Sequence, residues 1–184
     1  MYAVAEESLA RYCAPVLMGR KPASLYSTKS LQIALPVAQL RRCGLCRIVI
    51  RHNRGHLLVL LYSPAMLSEA LAELSVSKAL FSLGYPVDRN LDDMLRHLLS
   101  RFYHTDSFPH EIGFFLGYPP EDVIGFIKHR GQHCKLCGMW KVYGDVKRAC
   151  KMFSEYQSCK THLLSALENG TSIFDCIPHK AVAV

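Results

Sequence analysis

Residues 47–51 alternate, with Ile48 and Ile50 on one face and Arg47 and Arg51 on the other, which predicts a half-buried strand. His52-Asn53-Arg54-Gly55 supplies turn residues, and residues 57–62 (LLVLLY) are apolar throughout. A β-hairpin is expected, its second strand buried on both faces.

Elsewhere the period lengthens to that of a helix. Residues 6–18 read as a short helix interrupted near Pro15, followed by the basic turn Gly19-Arg20-Lys21-Pro22 and a brief strand over 24–27. Ser27 or Thr28 caps a Leu-, Ile- and Ala-rich segment that reaches Arg42 and breaks at Pro36. Residues 64–83 carry a stripe of Leu67, Leu71, Leu74, Leu80 and Phe81, stopped by Gly84. Asp88 or Asn90 caps residues 91–103, with Leu91, Leu95, Leu98 and Leu99 facing inward. Ser107 opens a short helix ending at Gly117. Pro119-Pro120-Glu121-Asp122 opens another that runs to about Arg130 and stops at Gly131. A strand over 139–143 puts Trp140 and Val142 on one face and Lys141 and Tyr143 on the other. Asp145 then caps a helix over 146–168, ended by Gly170, and the last residues form a loose tail.

Strands and helices do not alternate as βαβ units do, so a doubly wound parallel sheet is excluded. The expected fold is α+β: one domain with a small antiparallel sheet, hairpin included, covered by several helices. Its parts are an N-terminal helix and turn (1–27), the hairpin (47–62), a helical segment (63–131), a strand plus long helix (139–170) and the tail (171–184).

The chain has 184 residues, half of them apolar, which excludes disordered and low-complexity classes. Its longest apolar run is residues 57–62, well short of the ~20 residues that span a bilayer. Glu6, Glu7 and Arg11 near the start are unlike a signal peptide, so a cytoplasmic protein whose eight cysteines are mostly reduced thiols is expected. The net charge is +7. Arg41, Arg42, Arg47, Arg51 and Arg54, with His52 and His56, concentrate it on the hairpin, a face suited to anionic partners.

Cys43-Gly44-Leu45-Cys46 and Cys134-Lys135-Leu136-Cys137 have zinc-ligand spacing, but the long separation between the pairs weakens a shared site. Both motifs precede a strand, against the strand-then-helix setting of thioredoxin-like redox sites. His129, His133, Cys134 and Cys137 gather four potential ligands in nine residues; His133, Cys134 and Cys137 are the metal candidates. Residues 107–130 have a helix–turn–helix rhythm, yet Glu121 and Asp122 would face phosphates, and Val123, Ile124, Phe126 and Ile127 mark a core-facing helix. His110-Glu111 begins a zincin motif that Phe114 breaks, and no Walker A loop, dinucleotide fingerprint or G-x-S-x-G is present.

Several stretches carry a resemblance: Cys13-Ala14-Pro15, Gly19-Arg20-Lys21, residues 108–113 (FPHEIG), 116–123 (LGYPPEDV), 125–127 (GFI) and 140–145 (WKVYGD), then Tyr156 and Cys159. In these the chain resembles an uncharacterised bacterial family, domain of unknown function 3793. The resemblance carries over no catalytic residue. It implies a link to iron, haem or flavodoxin-type redox metabolism, and it draws attention to Cys13, Cys137 and Cys159 over a four-cysteine zinc site.

The expected function is therefore a ligand- or metal-handling accessory protein. Cys13, Arg20, Lys21, His110, Glu111, Lys141 and Tyr143 would border one cleft for haem, flavin or another anionic ligand, or iron, ahead of zinc. An acidic protein such as a flavodoxin is the expected macromolecular partner, with nucleic acid behind it. The alternative is a non-catalytic protein- or nucleic-acid-binding module that uses the basic hairpin. His110 and Glu111 suggest acid–base chemistry, but neighbours on a helix diverge by about 100°, so a non-enzymatic role is favoured.

Overall fold

A computed structural model describes residues 2–28, 37–51, 57–104 and 107–177. The fold is α+β, as expected. The chain divides into two compact units, residues 1–64 with 154–184, and residues 65–153.

The first unit begins with α1 (Tyr2–Leu17), which starts earlier than expected and runs on uninterrupted to Pro15 in its last turn. There a proline removes one hydrogen bond and ends the helix instead of breaking it. Gly19 adopts φ 65°, and a paired closure follows, with Arg20 N–H donating to Pro15 O (2.7 Å) and Gly19 N–H to Val16 O (3.0 Å). This αL cap aims the basic turn off the helix end. β1 (Ala23–Thr28) leads out of it. The helix expected up to Arg42 survives among the described residues as α2 (Val37–Arg42); its break at Pro36 and its Ser27 or Thr28 cap involve residues outside them.

The hairpin strands are β2 (Cys46–Arg51) and β3 (Leu57–Tyr62); the turn between them lies outside the described residues. The antiparallel order is β1-β3-β2. Because β3 is central, Val59, Leu60, Leu61 and Tyr62 are all buried, which accounts for its unbroken apolar run. On one face, Tyr26 pairs with Val59 and Ser24 with Leu61. That face joins a core of Leu9, Cys13, Leu17, Leu40, Leu45 and Leu163.

The second unit corrects one expected helix. Residues 64–83 form α3 (Pro64–Ala72) and α4 (Leu74–Ser82), because Glu73 leaves the helical region at ψ 131°. The break rotates the stripe: Leu67, Leu71 and Leu80 are buried, whereas Leu74 and Phe81 are 68% and 70% exposed. α5 (Leu91–His104) is capped by Asn90, whose Oδ1 accepts from Asp93 N–H at 3.0 Å. It buries Met94, Leu95 and Leu98.

α6 (Ile112–Phe115) and α7 (Pro120–Lys128) pack together, and α7 also meets α4. α7 is not wholly core-facing as expected: Val123 is buried but Ile124 and Ile127 are exposed. The strand expected over 139–143 is a minimal antiparallel pair, β4 (Leu136–Cys137) and β5 (Lys141–Val142). α8 (Val146–Glu168) starts in this unit and ends in the first.

In the first unit, α9 (Ile173–Cys176) forms within the stretch 171–184 assigned to the tail. Glu6 Oε2 accepts from Ser172 Oγ and Ile173 N–H, both at 2.9 Å, clasping the two ends of the unit. The final stretch, 178–184, lies outside the described residues.

Candidate functional site

The expected site residues fall in both units. Cys13, Arg20 and Lys21 belong to the first; His110, Glu111, Lys141 and Tyr143 belong to the second.

In the first unit, Cys13 is fully buried on α1 and Lys21 is only 8% exposed. Lysine is rarely buried without a partner. Its ammonium lies 5.7 Å from the centre of the Tyr156 ring, within cation–π range. Burial brings the Lys21 amine down from 10.5 to about 8, with the neighbouring Cys13 opposing the fall. Burial pushes the Cys13 thiol strongly upward, and Lys21 pulls it part of the way back. The Tyr26 hydroxyl, raised by burial and then by Cys13, has no hydrogen-bond partner among the described residues. Cys13 is therefore a protonated core thiol, not a surface ligand.

Beside this buried pair opens a cleft of about 390 Å³, lined by Arg20, Ser154, Glu155, Ser158, Cys159 and His162 over Met18. The αL cap at Gly19 places Arg20 there. Ser154, Ser158 and His162 recur every fourth residue along α8, so one helical face supplies two hydroxyls and an imidazole. Ser158 Oγ donates to Ser154 O at 2.9 Å, leaving its oxygen lone pairs to accept. Burial raises the Cys159 thiol, while Arg20 pulls it down and Glu155 pushes it up. A guanidinium, hydroxyls and an imidazole suit an anionic group; Glu155 repels a second one. The spacing of Ser154, Ser158 and His162 was readable, but only the cap at Gly19 shows that they meet Arg20.

In the second unit, the segments 116–123 and 140–145 meet at Asp122, which is 2% exposed. Its Oδ2 accepts from the Trp140 indole, and its Oδ1 from the backbone N–H groups of Tyr143 and Gly144, all at 2.7 Å. The carboxylate is turned inward as a structural clasp. Gly125 has its role here too, since a Cβ on it would sit 2.5 Å from Tyr143 Cβ.

Glu111 is likewise internal, 3% exposed. It accepts from Arg101 Nε at 2.8 Å and from Tyr85 Oη at 3.2 Å. Burial, reinforced by Glu111, pushes the Tyr85 hydroxyl up. His110 is exposed, with its ring 4.8 Å from Phe126. The adjacent pair is thus divided between surface and interior, an unsuitable arrangement for joint acid–base work.

Lys141 Nζ donates to Gly131 O at 2.6 Å. Gly131 also packs against Phe126, so the structure brings His110 and Lys141 to the surroundings of one aromatic ring. Tyr143 stacks on His129 at 5.8 Å, and its half-buried side chain places a hydroxyl that has no partner among the described residues. Cys137 is exposed and Cys134 half-buried. Among the described residues, His133, Cys134 and Cys137 included, no three His, Cys, Asp or Glu side chains gather as a metal ion requires. Among them, too, no helix is long and apolar enough to cross a membrane.

Comparison with curated proteins and with solved structures finds no match. Residues 9–177 match the model of a family described as "Protein of unknown function (DUF3793)", and the chain belongs to that family.

Proposed function

We propose that this is a non-catalytic ligand-handling protein that takes a small anionic ligand into the cleft of the first unit. The observation that carries the reading is the Arg20 side chain opening on a hollow of about 390 Å³ opposite Ser154, Ser158 and His162. Arg20 would hold a phosphate or carboxylate group by charge-assisted hydrogen bonds, and the hydroxyls of α8 would complete its shell. The buried ammonium of Lys21, next in sequence, adds positive potential behind the cleft. Haem propionates and the phosphate of a flavin mononucleotide are the anionic groups that fit a role in iron or redox metabolism.

Isothermal titration and thermal unfolding with inorganic phosphate, haem and flavin mononucleotide test this. Saturable binding of at least one is expected, weakened about 10-fold or more in Arg20→Ala, as loss of a charged hydrogen bond implies. Absence of binding by all three, or equal binding by wild type and Arg20→Ala, overturns it.

A further inference from the structure

The cleft of the first unit carries two opposite charges. Arg20 and Glu155 both line it, and both are exposed. Among the described residues neither side chain takes part in an ion pair or a hydrogen bond, whether with the other or with Lys151, one turn before Glu155 on α8. Both act on the thiol of Cys159, which lines the same hollow: Arg20 pulls it down and Glu155 pushes it up. A cation and an anion thus stand close to one sulfur without neutralising each other.

Donors and acceptors are divided as the charges are. Arg20 follows the cap at Gly19, and its guanidinium only donates. Glu155 and Ser158 belong to α8, where a spacing of three places them side by side on the helix surface. The Ser158 proton is already given to Ser154 O at 2.9 Å, so toward a ligand that hydroxyl only accepts. A carboxylate beside an accepting hydroxyl is a poor seat for a second anionic oxygen. It is a good one for an ammonium, which has three donors and no acceptor.

Selectivity follows from this layout. An anion alone on Arg20 lies in the repulsive field of Glu155. An ammonium carried by the same molecule turns that repulsion into attraction. The hollow, about 390 Å³, is near the lower end of small-molecule sites, which run from about 300 to 1,000 Å³, so the molecule that fits is small. Resting on the reading of this cleft as an anion site, we propose that its ligand is a small zwitterion, with a carboxylate or phosphate on Arg20 and an ammonium on Glu155 and Ser158.

Isothermal titration with two matched pairs tests this: propionate against L-alanine, and ethyl phosphate against O-phosphoethanolamine. The second member of each pair adds an ammonium to the first, and the pair that binds tells a carboxylate ligand from a phosphate one. Within that pair the ammonium member is expected to bind about 10-fold tighter, as a charged hydrogen bond implies. Glu155→Gln is expected to weaken the ammonium member about 10-fold and to tighten the plain anion. Ser158→Ala should weaken the ammonium member alone, and Arg20→Ala should weaken both. Because each comparison is a ratio taken on one variant, any loss of folded protein cancels. The zwitterion proposal alone is overturned if the plain anion binds, through Arg20, as tightly as its ammonium counterpart, or if Glu155→Gln leaves their ratio unchanged. If no member of either pair binds, the anion-site reading falls with it.

Discussion

Asp122 and Trp140 are joined by a 2.7 Å hydrogen bond between a buried carboxylate and the single indole of the chain. The same carboxylate holds the backbone of Tyr143 and Gly144, so one side chain ties α7 to the segment after β5. Removing it leaves three donors to lose a charged acceptor. Asp122→Ala is expected to destabilise the protein by about 3 kcal/mol or more. Tryptophan emission reports this directly: it should shift to the red in the variant under native conditions, and urea denaturation should give the loss of stability. An unchanged spectrum and midpoint would contradict the clasp.

Lys21 gives a pH signature. Its amine titrates near 8 in the folded chain against 10.5 when free, so between these values the unfolded state binds more protons. Stability from this group therefore rises as pH increases from 8 to 10.5, by about 3 kcal/mol at most. Cys13 and Tyr26, whose groups are raised, act in the opposite direction above their ordinary values. Comparison with Lys21→Met isolates the lysine: the stability of wild type relative to the variant should climb between pH 8 and pH 10.5. Parallel pH profiles would show that the amine is not held in an unfavourable setting.

Gly125 and Gly144 look alike in sequence but differ in what surrounds them. A Cβ at Gly125 meets Tyr143 Cβ and Cγ at 2.5 Å, atoms anchored next to the backbone. A Cβ at Gly144 meets Cγ, the carboxyl carbon and Oε1 of Glu121, an exposed side chain that can rotate away at the expense of its pairing with Arg148. Gly125→Ala should cost about 1–3 kcal/mol, as overpacking does, and Gly144→Ala distinctly less. Thermal unfolding of the two variants checks the order.

The thiols should separate by reactivity. Cys137 and Cys150 are exposed, whereas Cys13 and Cys159 are buried and their thiols are raised by that burial. Alkylation of the native protein followed by peptide mass spectrometry should label Cys137 and Cys150 first. Cys13 should react only as fast as the chain opens. Early labelling of Cys13 would place it outside the core.

Elements with a strong local signal were legible in the chain. The alternation before residue 52 and the unbroken apolar run after residue 56 located β2 and β3, and Asp145 marked the start of α8, where its Oδ1 accepts from Arg148 N–H at 3.1 Å. What was not legible depends on tertiary contact. Glu73 has no helix-breaking character, so nothing local announces the turn that exposes Leu74 and Phe81. The inward turn of Asp122 depends on three donors about twenty residues away. The site was half readable: Arg20 and Lys21 stood out as a basic turn, while the α8 residues facing Arg20 were hidden among ordinary helix polar positions.

The first unit is built from both ends of the chain, with the second inserted between residues 64 and 154 and the clasp of Glu6 on Ser172 closing the outer one. During synthesis the inserted unit emerges from the ribosome whole, while the outer one still lacks most of α8 and all of α9. The hydrophobic face of the three-stranded sheet must then wait, incompletely covered, for Cys159, Leu163, Ile173 and Ile177. Truncation from the C-terminus should accordingly leave a chain whose middle is folded and whose beginning is prone to aggregate.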